Sequence, residues 1–231
     1  MSLLHSISAF ARGGVSGLQV TQPDWSPYVV HFTSYKSMQP LSRALDKGHS
    51  PTKISKHLKR ADEESMAVVR EIAADFRLKA SSPAEKDGIP PCVCMTECVI
   101  DGLISHAERY GRFGLVFRKS DVFQLGGGPC LYLSPDEYAE IAKAFRQSSV
   151  QAQARIFGRA NVFSPVGAGG KIQDYTHERE WRVFADISLA DTPPRFVIAP
   201  EQFLPQCRDM FQNAVSIIPI DTLFELNHSG T

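Results

Sequence analysis

The sequence lacks an excess of charge of either sign. Its 231 residues contain 25 Lys and Arg against 25 Asp and Glu, so the formal net charge is zero. A protein that binds a polyanion over its whole surface normally carries a clear basic excess. The one basic strip, residues 53–60, adjoins acidic residues 62–64, and this pattern favours a solvated face of mixed charge. We therefore expect no nucleic-acid partner.

Long apolar runs and dense cysteines are also missing. A helix needs about 20 consecutive apolar residues to cross a bilayer, and the longest runs here are short pieces such as residues 215–219. The sequence therefore predicts no membrane partner. Five cysteines in 231 residues form neither a dense nor an even set. Their number disfavours a disulfide framework and indicates a cytoplasmic protein.

Strand and helix patterns alternate along the chain without regular βαβ units. Residues 28–34 are β-branched and aromatic, which predicts a strand. Apolar residues at helical spacing predict a long amphipathic helix near residues 61–79. We predict one α+β domain over residues 28–231, with helices packed on a mixed, largely antiparallel sheet. A loosely ordered N-terminal arm, residues 1–27, precedes it.

The second half of the chain carries clear turn and helix signals. Ser134 and Pro135 are typical of a helix start, and a long helix can follow over residues 136–157. The Asp-Thr-Pro-Pro turn predicts that two antiparallel strands, 181–188 and 195–199, flank it. The glycines at 126–128 and in 164–175 lack the spacing of a phosphate-binding loop, so turns and loops are the better interpretation.

Three cysteines cluster in the sequence CVCMTEC at residues 92–98. Clustered thiolates can bind zinc, and a strand would place Cys92 and Cys94 on one face. No second Cys-x-x-Cys exists to complete the ligand set. We therefore interpret these cysteines as small buried apolar residues and predict no metal site.

Carboxylates and guanidinium groups alternate in the sequence THEREWRVF at residues 176–184. In a strand, Trp181 would face the core while Glu180 and Arg182 face the other side. A carboxylate held beside arginines stays ionised, and it can orient a hydroxyl or stabilise a developing positive charge. The alternative is a structural ion-pair network that ties this strand to its neighbours.

A second group of polar residues lies between positions 95 and 117. His106 and Tyr110 are four residues apart, so a helix would place both on one face. Glu97 ends the preceding predicted strand, where polar groups usually open onto a site. Together with Arg182, these three residues are the predicted ligand-binding set. The alternative for His106 is a hydrogen bond within the fold.

Four segments carry a family resemblance. The sequences MTEC (95–98), SHAERYGRFGLVFRKS (105–120), GGGPCLYLS (126–134) and HEREWR (177–182) resemble the AbiGi-type family of abortive phage-resistance proteins, described as the antitoxin half of a two-gene system. The resemblance spans roughly residues 28–190. It implies a cytoplasmic phage-defence protein that interacts with, or regulates, a protein partner encoded nearby. It brings no established catalytic residues, and under this hypothesis we predict no cofactor.

A separate resemblance supports an enzymatic alternative. His31, Tyr132 and Glu180 stand on three predicted strands, in the order of the His-Tyr-Glu triad of one branch of the ADP-ribosyltransferases. That resemblance implies NAD as the substrate: the His holds the ribose, the Tyr stacks on nicotinamide, and the Glu bonds a ribose hydroxyl. Cleavage of a glycosidic C–N bond leaves a cationic sugar, which a fixed carboxylate stabilises. The sequence does not decide between the two hypotheses.

Overall fold

The structure is a computed structural model of the chain. It describes residues 26–33, 48, 50–81, 90–97, 102–103, 106–107, 110–146, 151–164, 176–212 and 215–222. The predicted N-terminal arm and the glycine-rich loop at 164–175 lie almost wholly outside these residues. Within the described ranges, no helix is long and apolar enough to cross a membrane.

The strands and helices follow one another in short segments. The strands are β1 (Tyr28–Phe32), β2 (Arg77–Leu78), β3 (Val93–Thr96), β4 (Gly114–Arg118), β5 (Gly128–Pro129), β6 (Leu131–Leu133), β7 (Ala160–Val162), β8 (Glu180–Val183), β9 (Ile187–Ser188), β10 (Phe196–Ala199) and β11 (Ser216–Pro219). The helices are α1 (Pro51–Asp75), α2 (Lys119–Gln124), α3 (Pro135–Arg146), α4 (Gln151–Gly158) and α5 (Leu204–Met210), with 3-10 turns at Thr176–Glu178 and Glu201–Phe203. The described residues between 102 and 110 are also helical.

A mixed sheet forms the centre of the molecule. Among the described residues it has seven strands, in the order β11-β10-β4-β1-β3-β8-β5. Strands β10 and β11 run parallel, and the other neighbouring pairs in this sheet are antiparallel. Two smaller sheets pair β2 with β9 and β6 with β7. These features confirm the predicted α+β class with a largely antiparallel sheet.

Each face of the sheet is covered by a helix. Alternate strand residues such as Val29, Met95 and Leu115 pack with Met66 and Val69 of α1 in one core. The intervening residues form a second core with the 102–110 helical segment, and this core includes Val30, Val116, Ile198, Leu103 and Ala107. The sheet is therefore a layer between two apolar cores, as the alternation of strand side chains between the two faces predicts.

The long amphipathic helix is present but ends earlier than predicted. Helix α1 stops at Asp75 because Phe76 adopts a left-handed conformation, with φ of 47°. The Phe76 N–H then bonds the Ala73 carbonyl at 3.4 Å. The chain enters β2 directly afterwards, so the predicted last turn up to residue 79 is strand and loop instead.

The predicted pairing of the strands around the Asp-Thr-Pro-Pro turn is wrong. Three strands, β4, β1 and β3, separate β8 from β10 in the sheet. After Val183 the chain leaves the main sheet, and β9 pairs with β2. Strand β10 then inserts between β4 and β11, where both of its faces are buried. Its continuous apolar sequence suits this interior position.

Candidate functional site

A cavity of about 380 Å³ lies where β1, β3 and β8 meet the 102–110 helical segment. This volume falls within the range of small-molecule sites in proteins. Strands β1 and β3 share one registered pair, Val30 with Thr96, so the ladder between them is short. Polar residues of the cavity wall include His31, Lys79, Ser81, Thr96, His106, Tyr110, Glu178 and Glu180.

His31 takes part in the contact between β1 and β3 through its side chain. Its Nδ1 lies 2.8 Å from the Cys94 carbonyl oxygen. A carbonyl only accepts, so Nδ1 carries the hydrogen and Nε2 of the neutral ring is left as an acceptor. Burial lowers the pKa of His31 and outweighs this hydrogen bond, which acts in the opposite direction. The ring is therefore neutral at pH 7.

The lowered pKa of His31 predicts a pH-dependent stability. Above about pH 6.5, the ordinary histidine value, the ring is neutral in both the folded and the unfolded chain. It then makes no pH-dependent contribution to the free energy of unfolding. As the pH falls below that value, the unfolded chain takes up a proton that the folded ring resists, so the free energy of unfolding should fall. Urea titrations between about pH 5 and 8 measure this slope.

Two variants separate His31 from the other titrating groups. His31→Gln keeps an N–H donor but does not titrate, so we expect a flatter dependence of unfolding free energy on pH. His57→Gln on α1 is the control for the substitution itself, because His57 is not among the described residues of the cavity wall. Equal slopes for the wild type and His31→Gln would contradict the assignment.

Glu180 is held by a buried, two-point ion pair. Arg182 Nε donates to Oε1 at 2.7 Å, and Arg182 Nη2 donates to Oε2 at 2.9 Å. Asn161 Nδ2 also donates to Oε2, at 2.8 Å. Burial alone would raise the pKa of Glu180, but the hydrogen bonds and charge of Arg182 outweigh it and lower that pKa. The carboxylate is thus ionised and fixed in position.

Tyr132 supports Glu180 from outside the main sheet. Its hydroxyl oxygen accepts the Glu180 backbone N–H at 3.0 Å. Burial raises the pKa of Tyr132 to about 12, so the phenol is neutral. Tyr132 lies on β6, in the two-stranded β6–β7 sheet, and it is not among the described residues that line the cavity. The structure therefore places the Tyr132 hydroxyl against the Glu180 backbone rather than on the cavity wall.

His106 and Tyr110 lie together on the helical wall of the cavity. The His106 Nδ1–H donates to the Gly102 carbonyl at 2.8 Å, and its Nε2 lies 3.2 Å from Thr96 Oγ1. Tyr110 donates its hydroxyl hydrogen to the Glu178 carboxylate. The predicted shared face is present, and the predicted alternative for His106, bonding within the fold, describes its contacts equally well.

Glu97 and Arg182 are not among the described residues that line the cavity. Glu97 forms an ion pair with Lys119 Nζ at 2.7 Å and accepts the Ser26 backbone N–H at 3.2 Å. Arg182 is 6% exposed, and its guanidinium is used by Glu180, Asn161 and the Gly158 carbonyl. Of the predicted ligand-binding set, the cavity therefore brings together only His106 and Tyr110.

Glu178 is a wall residue that the predicted set omits. It ends the 3-10 turn, and Arg179 follows in the left-handed region with φ of 42°. The Thr96 hydroxyl donates to the Glu178 carbonyl. Non-glycine residues in this conformation are strained and cluster at functional sites. The Glu-x-Glu spacing of residues 178 and 180 is the sequence signal that could have identified this second carboxylate.

Among the described residues, no group of three or more His, Cys, Asp or Glu side chains could hold a metal ion. No protein-family model, curated protein or solved structure matches the chain. The resemblance to the AbiGi-type family therefore stays a prediction from its four segments, and the site has to be interpreted from its own geometry.

Proposed function

We propose that the cavity is the active site of an NAD-consuming enzyme, which cleaves the glycosidic C–N bond between nicotinamide and ribose. One observation carries the proposal: His31 and Glu180, far apart in sequence, line the same cavity. Their strands both flank β3, since His31 on β1 bonds the Cys94 carbonyl and Glu180 on β8 pairs with Thr96. The proposal requires one nicotinamide-ribose unit in the cavity to reach both side chains.

The wall residues suit the chemistry of this bond. His31 Nε2, an acceptor on a neutral ring, can bind a ribose hydroxyl. The ionised Glu180 is fixed before the substrate arrives, which is the condition for stabilising a developing oxocarbenium ion electrostatically. Phe32 and Tyr110 are aromatic wall residues and offer ring contacts for nicotinamide in place of Tyr132. The cleaved sugar passes to water or to an acceptor nucleophile.

The AbiGi resemblance supports the biological setting of the proposal. It supports a role in defence against phage, in the cytoplasm. It also supports a second function, the regulation of a protein partner encoded nearby. Co-expression with that neighbour separates the two: a regulator changes the neighbour's effect on growth even when His31 and Glu180 are substituted.

Nicotinamide release tests the enzymatic proposal. We expect the wild-type protein to bind NAD in calorimetry and to release nicotinamide, measured by chromatography. His31→Ala should reduce release at least about 10-fold because it removes a substrate-positioning group. His57→Ala, outside the cavity, should match the wild type. A folded protein that neither binds NAD nor releases nicotinamide would overturn the proposal.

A further inference from the structure

Two thiols lie in contact on the cavity wall. Cys92 and Cys94 flank Val93 at the start of β3, and residues two apart on a strand share a face. Their Sγ atoms are 3.7 Å apart. Both are free cysteines, and both line the cavity, so a small reagent in the cavity meets the pair. Nicotinamide cleavage, as proposed above, uses neither sulfur.

The two thiols differ in acidity. The hydrogen bond from Cys94 lowers the pKa of Cys92, and the positive charge of Arg182 adds to this effect. The same hydrogen bond, with burial, raises the pKa of Cys94. The pair therefore loses its first proton from Cys92 and keeps the second on Cys94. A thiolate beside a second thiol is the arrangement of a peroxide-reactive cysteine with its resolving partner.

We propose that Cys92 and Cys94 form a redox-active dithiol, which hydroperoxides oxidise to an intramolecular disulfide. The Cys92 thiolate attacks one peroxide oxygen, the O–O bond breaks, and the leaving hydroxide, or the alkoxide of an organic hydroperoxide, takes a proton to become water or an alcohol. Cys94 then attacks the sulfur of the resulting sulfenic acid. The S–O bond breaks, a water leaves with the Cys94 proton, and the S–S bond forms.

The bond requires a local bend of the strand. Residues two apart on a strand have Cα atoms about 6.5 Å apart, within the range of up to about 6.8 Å that disulfides span. The sulfurs must close from 3.7 Å to about 2.05 Å, and the Cβ atoms must come within about 4.5 Å, so the start of β3 has to bend as the bond forms. The product would remove both S–H groups from a wall that Glu180 also lines, so oxidation would alter the cavity beside that carboxylate.

The other described cysteines are less suited to oxidation by peroxide. Cys207 lies on α5 and is fully buried in the core, and burial raises its pKa to about 11. Burial likewise raises the pKa of Cys130. A high thiol pKa slows oxidation, and neither Cys130 nor Cys207 is among the described residues that line the cavity. Among the described cysteines, selectivity for the 92–94 pair is therefore expected.

Mass spectrometry of the peroxide-treated wild-type protein tests the inference. We expect the loss of two hydrogens, reversed by dithiothreitol. In the tryptic peptide that contains residues 92–98, fragment ions from cleavage between positions 92 and 94 should be absent until reduction. This measurement does not depend on NAD turnover, so it tests the disulfide separately from the proposed enzymatic activity.

Substitutions assign the roles of the two sulfurs. Cys94→Ser should leave a sulfenic acid at position 92 that dimedone traps, whereas Cys92→Ser should give no such adduct there. Cys98→Ser and Cys207→Ser should still form the disulfide. A disulfide that joins Cys98 to either residue, or a wild-type chain that keeps both thiols reduced in peroxide, would overturn the inference.

Discussion

Replacing Arg182 with Met should lower the free energy of unfolding by about 3–5 kcal/mol, because it leaves a buried carboxylate without its charged partner. Arg182 is 6% exposed and donates to both oxygens of Glu180. Met preserves much of the side-chain volume, so the loss reports the missing guanidinium rather than a large cavity. Urea unfolding followed by tryptophan fluorescence measures the difference.

Two comparisons make this result specific. Arg60 forms an ion pair with Glu64 at 2.9 Å, but its side chain is 74% exposed. Arg60→Met should therefore cost at most about 1 kcal/mol. The double variant Glu180→Leu with Arg182→Met removes both charges and should recover much of the stability lost in the single variant. If Arg182→Met costs no more than Arg60→Met, the buried pair does not stabilise the fold.

Glu180→Gln should reduce nicotinamide release by about 100- to 1,000-fold, the usual effect of removing one preorganised electrostatic group. Gln has nearly the same shape but carries no negative charge to oppose a cationic sugar. The same substitution leaves the Arg182 charge without its partner, so stability should fall as well. Release must therefore be measured per folded molecule, at a temperature well below the unfolding midpoint of the variant.

Asp62→Asn is the matched control for this loss of stability. Asp62 is 2% exposed and pairs with Arg112, so its substitution also breaks a buried carboxylate-arginine pair. It is not among the described residues of the cavity wall, and release per folded molecule should stay near the wild-type value. Full release from folded Glu180→Gln would show that this carboxylate is structural only.

Local patterns predicted the elements better than their arrangement. The β-branched run of β1 and the helical spacing of α1 identify both elements, since period and composition are local properties. The turn between β8 and β10 does not show that these two strands are separated in the sheet. An apolar strand that is buried on both faces takes an interior position, and for β10 this position lies between β4 and β11.

In the candidate site, too, local sequence patterns predict some contacts, whereas others depend on the arrangement of the strands. His106 and Tyr110 meet on one wall because helix geometry fixes residues four apart. His31 and Glu180 line one cavity because β3 lies between their strands. Local sequence patterns do not determine the order of strands in a sheet. Tyr132 shares the strand pattern of the other two residues. It nevertheless belongs to a separate small sheet, which no local signal distinguishes from the main one.

The hydrogen bond from the His31 ring to the Cys94 carbonyl also affects which substitutions position 31 can accept. At most strand positions the backbone makes the ladder, so many side chains are interchangeable. At position 31 the imidazole bonds the backbone of the neighbouring strand. Only residues that can place a donor at that point preserve the link, so folded variants without one should lose about 1 kcal/mol of unfolding free energy.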